Sequence, residues 1–253
     1  MIGDAVGRPG RDAISTILPG LRDELELDFV VANGENSAGG VGITPKTVDE
    51  LLSSGVDVIT TGNHVWDKVD IVPVLEQGSK NVLRPMNYPP TTPGTGYTIL
   101  KEVLVVNLIG RVFVGTFDCP FRAVDKILSE MTEPPKAILV DFHAEATSEK
   151  MAMGWYLDGK VSAVVGTHTH VPTADTRILP GGTGYVSDLG MCGALNSVIG
   201  VQVEEVLTRF LHQTPSRLKV ATSGPIGFNS VLIEIDETTG KAISISRMDR
   251  QLD

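Results

Sequence analysis

Histidines stand at positions 64, 143, 168, 170 and 212, and the first four lie at or just past the ends of short apolar runs. His168-Thr169-His170 is the sharpest local signal. A neutral imidazole offers a nitrogen lone pair to zinc, iron, manganese or cobalt. In an extended segment both rings point to one side; in a curled loop the spacing leaves their directions open. Two hydrogen-bonded loop histidines are the plain alternative. Glu35-Asn36 follows the run ending at Ala32. Its carboxylate can bridge two cations and reduce their repulsion, and Asn36 adds a neutral oxygen. The surrounding Asn33-Gly34 and Gly39-Gly40 equally spell a turn. In Asn63-His64 the amide suits a hard cation, while His64 can face a substrate and move a proton. Asp67 either orients His64 or caps the helix after it. Asp4 and His143 complete a plausible ligand set of Asp4, Glu35, Asn36, Asn63, His143, His168 and His170. Asp141, Glu145 and Glu149 are candidates for an outer layer. More acidic ligands than these would repel a phosphate.

Other constellations are weaker. Gly3 to Gly10 is glycine-rich but lacks the lysine and Ser/Thr of a phosphate loop. There is no His-Glu-x-x-His pair, and Gly190-Met191-Cys192-Gly193 is not a nucleophile elbow. Ser223 and His212 have no arrangement that requires a hydrolase triad. His212 falls on a predicted helix and reads as structural or surface exposed.

These residues need elements that hold them at one place. Apolar runs at 29–32, 56–61, 137–140 and 161–165 read as buried strands, each ending in a Gly, Asn, Asp or His cluster. Helices are expected over 11–25, from Thr44-Pro45 through Leu52, and over 67–75, 121–131, 147–157 and 202–211. Pro45 suits a first helical turn, and Val203, Val206, Leu207 and Phe210 form an apolar face. Strand–helix alternation argues an α/β fold. Strand pairs are expected at 97–100 with 104–108 and at 227–235 with 241–248. The simplest assembly is two packed sheets with outer helices, in one domain over 1–253. Loops at strand carboxyl ends then converge on one crevice. Only Met1 and Ile2 precede Gly3-Asp4, so the first strand is expected to be very short or truncated.

The ordered set Gly3-Asp4, Asn33-Gly34-Glu35-Asn36, Gly62-Asn63-His64, Asp141-Phe142-His143-Ala144-Glu145-Ala146-Thr147-Ser148-Glu149-Lys150 and Gly166-Thr167-His168-Thr169-His170-Val171 resembles the calcineurin-like metallophosphoesterase superfamily. More closely, it resembles the YmdB-like 2',3'-cyclic-nucleotide 2'-phosphodiesterase family, over nearly the whole chain. The resemblance implies an α-β-β-α sandwich of two sheets flanked by helices. It also implies two metal ions, an iron pair of divalent or mixed valence or else manganese. Asp4, Glu35, Asn36 and His170 would surround one metal. Glu35 would bridge to a second, which also receives Asn63, His143 and His168. His64 would be the proton donor and a metal-bridging hydroxide the nucleophile. Two departures from the broad superfamily, shared with the narrower family, are the missing histidine two residues after Asp4 and a glutamate, Glu35, in the bridging role. The implied reaction opens 2',3'-cyclic nucleotides to 3'-monophosphates. A phosphomonoesterase or protein phosphatase on the same metals is the rival enzyme, and a metal-dependent interaction module the rival non-enzyme.

A formal net charge of -10 disfavours long nucleic acid, because polyanion binding draws on basic residues that release counterions. A small phosphodiester is the expected partner, since bound metals reverse the local potential; a homo-oligomer is compatible. Cys119 and Cys192 form neither a disulfide framework nor a paired metal spacing. No apolar stretch nears the roughly 18 residues of a spanning helix, and the start does not read as a signal peptide. The expected location is the cytoplasm.

Overall fold

A computed structural model describes all residues, 1–253. In chain order the strands are β1 (Asp4–Ala5), β2 (Val31–Asn33), β3 (Val58–Thr60), β4 (Tyr97–Leu100), β5 (Val103–Ile109), β6 (Ala137–His143), β7 (Ala163–Thr167), β8 (Arg177–Ile178), β9 (Gly184–Val186), β10 (Met191–Ala194), β11 (Ile226–Phe228), β12 (Val231–Ile235), β13 (Ala242–Arg247) and β14 (Arg250–Leu252). The helices are α1 (Gly7–Glu24), α2 (Pro45–Ser53), α3 (Val72–Gln77), α4 (Pro120–Glu130), α5 (Thr147–Tyr156) and α6 (Val203–His212).

The long apolar runs become β5, β6 and β7, which lie side by side and parallel in a sheet ordered β4-β5-β6-β7-β9-β8. The other sheet is assembled around the chain start. Ile2 bridges β2 in parallel through Ala32 and Ser230 in antiparallel. Asp4 and Ala5 continue beside Met191 and Cys192 of β10, followed outward by β11 and β14. β3 flanks β2.

Three apolar layers fix the α-β-β-α order. Ile14 and Leu18 of α1 and Val48 and Leu51 of α2 pack with Ala32 and Ile59 on the outside of one sheet. Val124 and Ile127 of α4 and Met153 of α5 pack with Leu108, Val140 and Phe142 on the other. Val31, Val58, Val105 and Leu139 meet between the sheets. Full burial of each large aliphatic side chain contributes roughly 1.5–3 kcal/mol.

Several local expectations need correction. α1 starts earlier than residue 11, directly after β1, and runs through Pro19. Pro19 and Gly20 are both exposed, so the carbonyl that loses its partner can turn to water. The stretch 67–75 is not one helix: a 3-10 turn at Val69–Ile71 leads into the short α3. The strand expected over 227–235 splits at Asn229-Ser230 into β11, which pairs with β10 and β14, and β12, which pairs with β13. On α6 only Val206 is buried; Leu207 and Phe210 of the expected apolar face are exposed, as is Leu211. Thr44 caps α2 as its sequence suggests, accepting from Thr47 N at 3.3 Å with Pro45 next in the chain. No helix is long and apolar enough to cross a membrane. Both cysteines are free thiols. Beside Met1 a cavity of about 690 Å³ is lined by Leu18 and Leu21 of α1, Leu139 of β6 and Ile233 of β12.

Candidate metal centre

The candidate residues sit at the carboxyl ends of parallel strands: Asp4 in β1, Glu35-Asn36 past β2, Asn63-His64 past β3, His143 at the end of β6, and His168 and His170 past β7. Their side chains meet in two adjoining groups.

The first group surrounds His143 Nε2. Glu35 Oε1 lies 3.0 Å away, His168 Nδ1 3.0 Å and Asn63 Oδ1 3.2 Å. The ligand atoms of Glu35, His143 and His168 fall within 4.8 Å of one another. The opposite nitrogen of His143 is already committed. Thr167 Oγ1 donates to Asp141 Oδ1 at 2.7 Å, so its oxygen accepts from His143 Nδ1–H at 3.0 Å. Thr60 donates to the other Asp141 oxygen. This chain fixes the ring and directs Nε2 into the centre. Gly62 leaves the ring its space, since a Cβ there would lie 2.1 Å from His143 Cδ2.

The second group joins Asp4, Asn36 and His170. His170 Nε2 is 3.1 Å from Asn36 Nδ2 and 3.7 Å from Asp4 Oδ1. His170 Nδ1–H donates to Ile199 O at 2.8 Å, which leaves Nε2 with its lone pair. Asp4 Oδ2 accepts from His168 N at 3.2 Å, whereas Asp4 Oδ1 is fully buried with no hydrogen-bond partner. Glu35 lies between the groups, with Oε1 also 3.4 Å from Asn36 Nδ2 and Oε2 accepting from His64 N at 2.9 Å.

This donor set suits cations. One proton on His143 Nε2 cannot serve three acceptors at once, and the buried Asp4 oxygen is left with none. The charges lean the same way. Burial opposes charge on His143, but the Glu35 carboxylate outweighs it and lifts the ring to about 9. Burial would likewise raise Glu35, yet His143 holds it at about 2. Burial, then the charge on His143, lowers His168 to about 3. Asp4 is pushed up to about 6, chiefly by burial. A positive charge therefore already stands where the first group converges. Asn36 turns its amide nitrogen toward the centre; a half-turn about its last torsion presents the oxygen.

His64 stands apart from both groups. Its Nδ1 is 2.6 Å from Asp67 Oδ2, and its side chain is 38% exposed. Asp67 thus orients His64 and is not a helix cap.

The 168–170 segment is curled, not extended: His168 and His170 have φ of +99° and +66°. These left-handed conformations are costly for non-glycine residues. Asp188 holds them, accepting from Thr169 N at 3.1 Å and Thr169 Oγ1 at 2.7 Å while paired with the buried Lys150 at 2.6 Å. Sequence reasoning missed Lys150 and Asp188 as organisers, because partners so far apart in the chain leave no local pattern. Among the expected outer acids, Asp141 supports His143, and Glu145 Oε2 lies 3.2 Å from His168 Nε2. Glu149 instead holds the turn after β5 through Arg111 N and Val112 N. His212 is exposed on α6, away from the other four.

A model of the YmdB-like protein family matches residues 1–248. The chain is 46% identical over 251 residues to the 2',3'-cyclic-nucleotide 2'-phosphodiesterase of Bacillus subtilis (strain 168), covering 98% of this chain and 94% of that protein. Among solved structures, a hypothetical protein from Thermus thermophilus superposes with a TM-score of 0.94 at 43% identity, over 100% of this chain and 98% of that one. A protein described as a novel phosphatase, from Mycoplasma pneumoniae, gives 0.91 at 33% identity, over 99% and 92%.

Proposed function

Since the chain belongs to the YmdB-like protein family, we propose that it is a binuclear metal-dependent phosphodiesterase that opens 2',3'-cyclic nucleotides to 3'-monophosphates. The observation that carries the reading is the convergence of Glu35, Asn63 and His168 on His143 Nε2, beside the unpartnered Asp4 Oδ1. The first group would hold one cation and Asp4, Asn36 and His170 a second, with Glu35 shared. Iron is the favoured metal and manganese the alternative, as the family resemblance implies; imidazole and carboxylate donors suit both. Bound there, the two ions would supply Lewis-acid charge to the phosphoryl oxygens and an activated water.

The chain's own groups do the rest. Glu35 and Asp4, buried with the histidines, set the negative charge that retains two cations without adding acids that would repel the phosphate. His64, held through Nδ1 by Asp67 and open to solvent, directs Nε2 outward. Water gives one proton to the solvent, which in turn reprotonates His64, and its hydroxide bonds to phosphorus; the bond from phosphorus to O2' breaks, and its electron pair stays on O2'. That oxygen takes a proton from His64, leaving the phosphate on O3'. The cleaved bond and the cyclic-nucleotide class draw support from the Bacillus subtilis relative.

Protein loaded separately with iron under reducing conditions and with manganese should receive all four 2',3'-cyclic nucleotides, 3',5'-cyclic nucleotides and simple monoesters, with 2'- and 3'-products separated. Metal-dependent formation of 3'-monophosphates is the expected result. Exclusive 2'-monophosphate would reject the bond assignment. Turnover of monoesters alone would reject the substrate class and favour the phosphomonoesterase.

A further inference from the structure

Three aromatic residues from separate stretches of the chain meet beside the candidate centre. Trp66 and Tyr88 pack edge to face with centroids 5.9 Å apart, and Tyr88 and Phe117 do so at 5.0 Å. All three remain only half-buried. Trp66 lies two residues beyond His64 and packs on the core through its partly buried side. Tyr88 and Phe117 are drawn together by Asn87, whose Nδ2 donates to Ile109 O at 2.8 Å and Asp118 O at 2.9 Å. Asp118 N returns a bond to Asn87 O at 3.0 Å. Ile109 is the register partner of His143. The wall therefore rises from the same rim of strand ends as His64 and His143, and the Asn87 clamp fixes its position.

We propose that this wall of Trp66, Tyr88 and Phe117 is the nucleobase platform of the site. The proposal rests on the cyclic-nucleotide reading above. Every base has a π-face, so stacking contributes affinity with little regard to base identity. The chemistry matches an enzyme that accepts all four bases and reads the phosphate at the metals. An aromatic cluster serving only as packing would give the substrate's base no role in binding.

The test compares 2',3'-cyclic nucleotides with 1-O-methylribose 2',3'-cyclic phosphate, which has the ring phosphate and no base. Phe117→Leu keeps the apolar volume and removes the π-face. It should raise KM for all four nucleotides by about 5- to 150-fold, the range carried by base–aromatic stacking. Their kcat should hold within about twofold, and the base-free compound should be unaffected. A binding measurement on unaltered Phe117 gives a second readout. With Trp155→Phe leaving Trp66 as the single tryptophan, adenosine 3'-monophosphate should quench its emission and ribose 3-phosphate should not. Unchanged KM for the nucleotides, an equal change for the base-free compound, or equal quenching by both ligands would overturn the platform. Failure of the unaltered protein to turn over any cyclic phosphate would overturn the functional reading and this proposal with it.

Discussion

His64 and His143 are both histidines on one rim, yet their surroundings suit them to opposite tasks under the proposed function. His143 is enclosed by Glu35, Asn63, His168 and Thr167, whereas His64 touches Asp67 and opens to solvent. His64→Ala should therefore retain metal while turnover falls by roughly 10²–10⁴-fold. Metal analysis beside kinetics checks this, and a substrate with a very good leaving group should recover part of the loss. For His143 the prediction concerns protons. In the metal-free protein the ring holds its proton up to about 9 because Glu35 faces it. A metal must expel that proton. Below this value the apparent metal affinity should rise with pH, by up to tenfold per unit, and level off above it. Titrations in two buffers of different ionisation enthalpy should register the released proton; equal heats in both would count against the assignment. Glu35→Gln should weaken both metals together, since its carboxylate lies between the groups; unchanged affinity at either one would deny the bridge.

The histidine turn after β7 shows how an element is held in a costly shape. Two left-handed histidines on either side of Thr169 persist because Asp188, Asp4 and Ile199 accept from the turn's backbone, Thr169 and His170. Lys150 of α5 neutralises Asp188 in a buried position. Lys150→Met leaves a buried carboxylate unpaired and should cost about 3–5 kcal/mol. The same change should release metal from the turn, so chemical denaturation and metal content should fall together. If stability fell with metal binding intact, Asp188 would be a stabilising group without a positioning role. The turn after β3 is held by space instead of charge: Gly62 admits the His143 ring where any Cβ would collide.

At the scale of the whole molecule, a chain of net charge -10 gathers two carboxylates, two amides and three histidines at the candidate centre. Under the proposed function, an anionic nucleotide would approach against that field until it met the metals. Raising ionic strength from about 0.01 M to about 0.15 M shortens the screening length from ~30 Å to ~8 Å, so KM for cyclic nucleotides should fall across that range. A rise in KM would instead indicate a locally positive approach path. The two-sheet sandwich makes the centre possible because it sets the carboxyl ends of β1, β2, β3, β6 and β7 on one rim. Charge placed there acts at short range, while the acidic surface acts at long range.

Much of this was legible in the chain itself. Short β-branched runs such as Val161–Val165, each followed by polar loops, announced buried strands with candidate residues at their ends. Asp4, Glu35, Asn36, Asn63, His143, His168 and His170 were legible as candidates because residue type and position beside a predicted strand end or the chain start are local properties. Periodicity also marked most helices, since burial imposes it on each element separately. What only the tertiary structure decided was every relation between distant residues. Residues 227–235 split between two pairings because β10, β14 and β13 compete for their hydrogen bonds. Leu207, Phe210 and Leu211 of α6 stayed exposed because apolarity along a helix does not specify what will cover it. The clamp of Asp188 by Lys150, the unpartnered Asp4 oxygen and the aromatic wall of Trp66, Tyr88 and Phe117 join residues that are far apart along the chain. Such contacts depend on how whole sheets pack, and packing energy is a property of surfaces brought together, not of any one stretch of sequence.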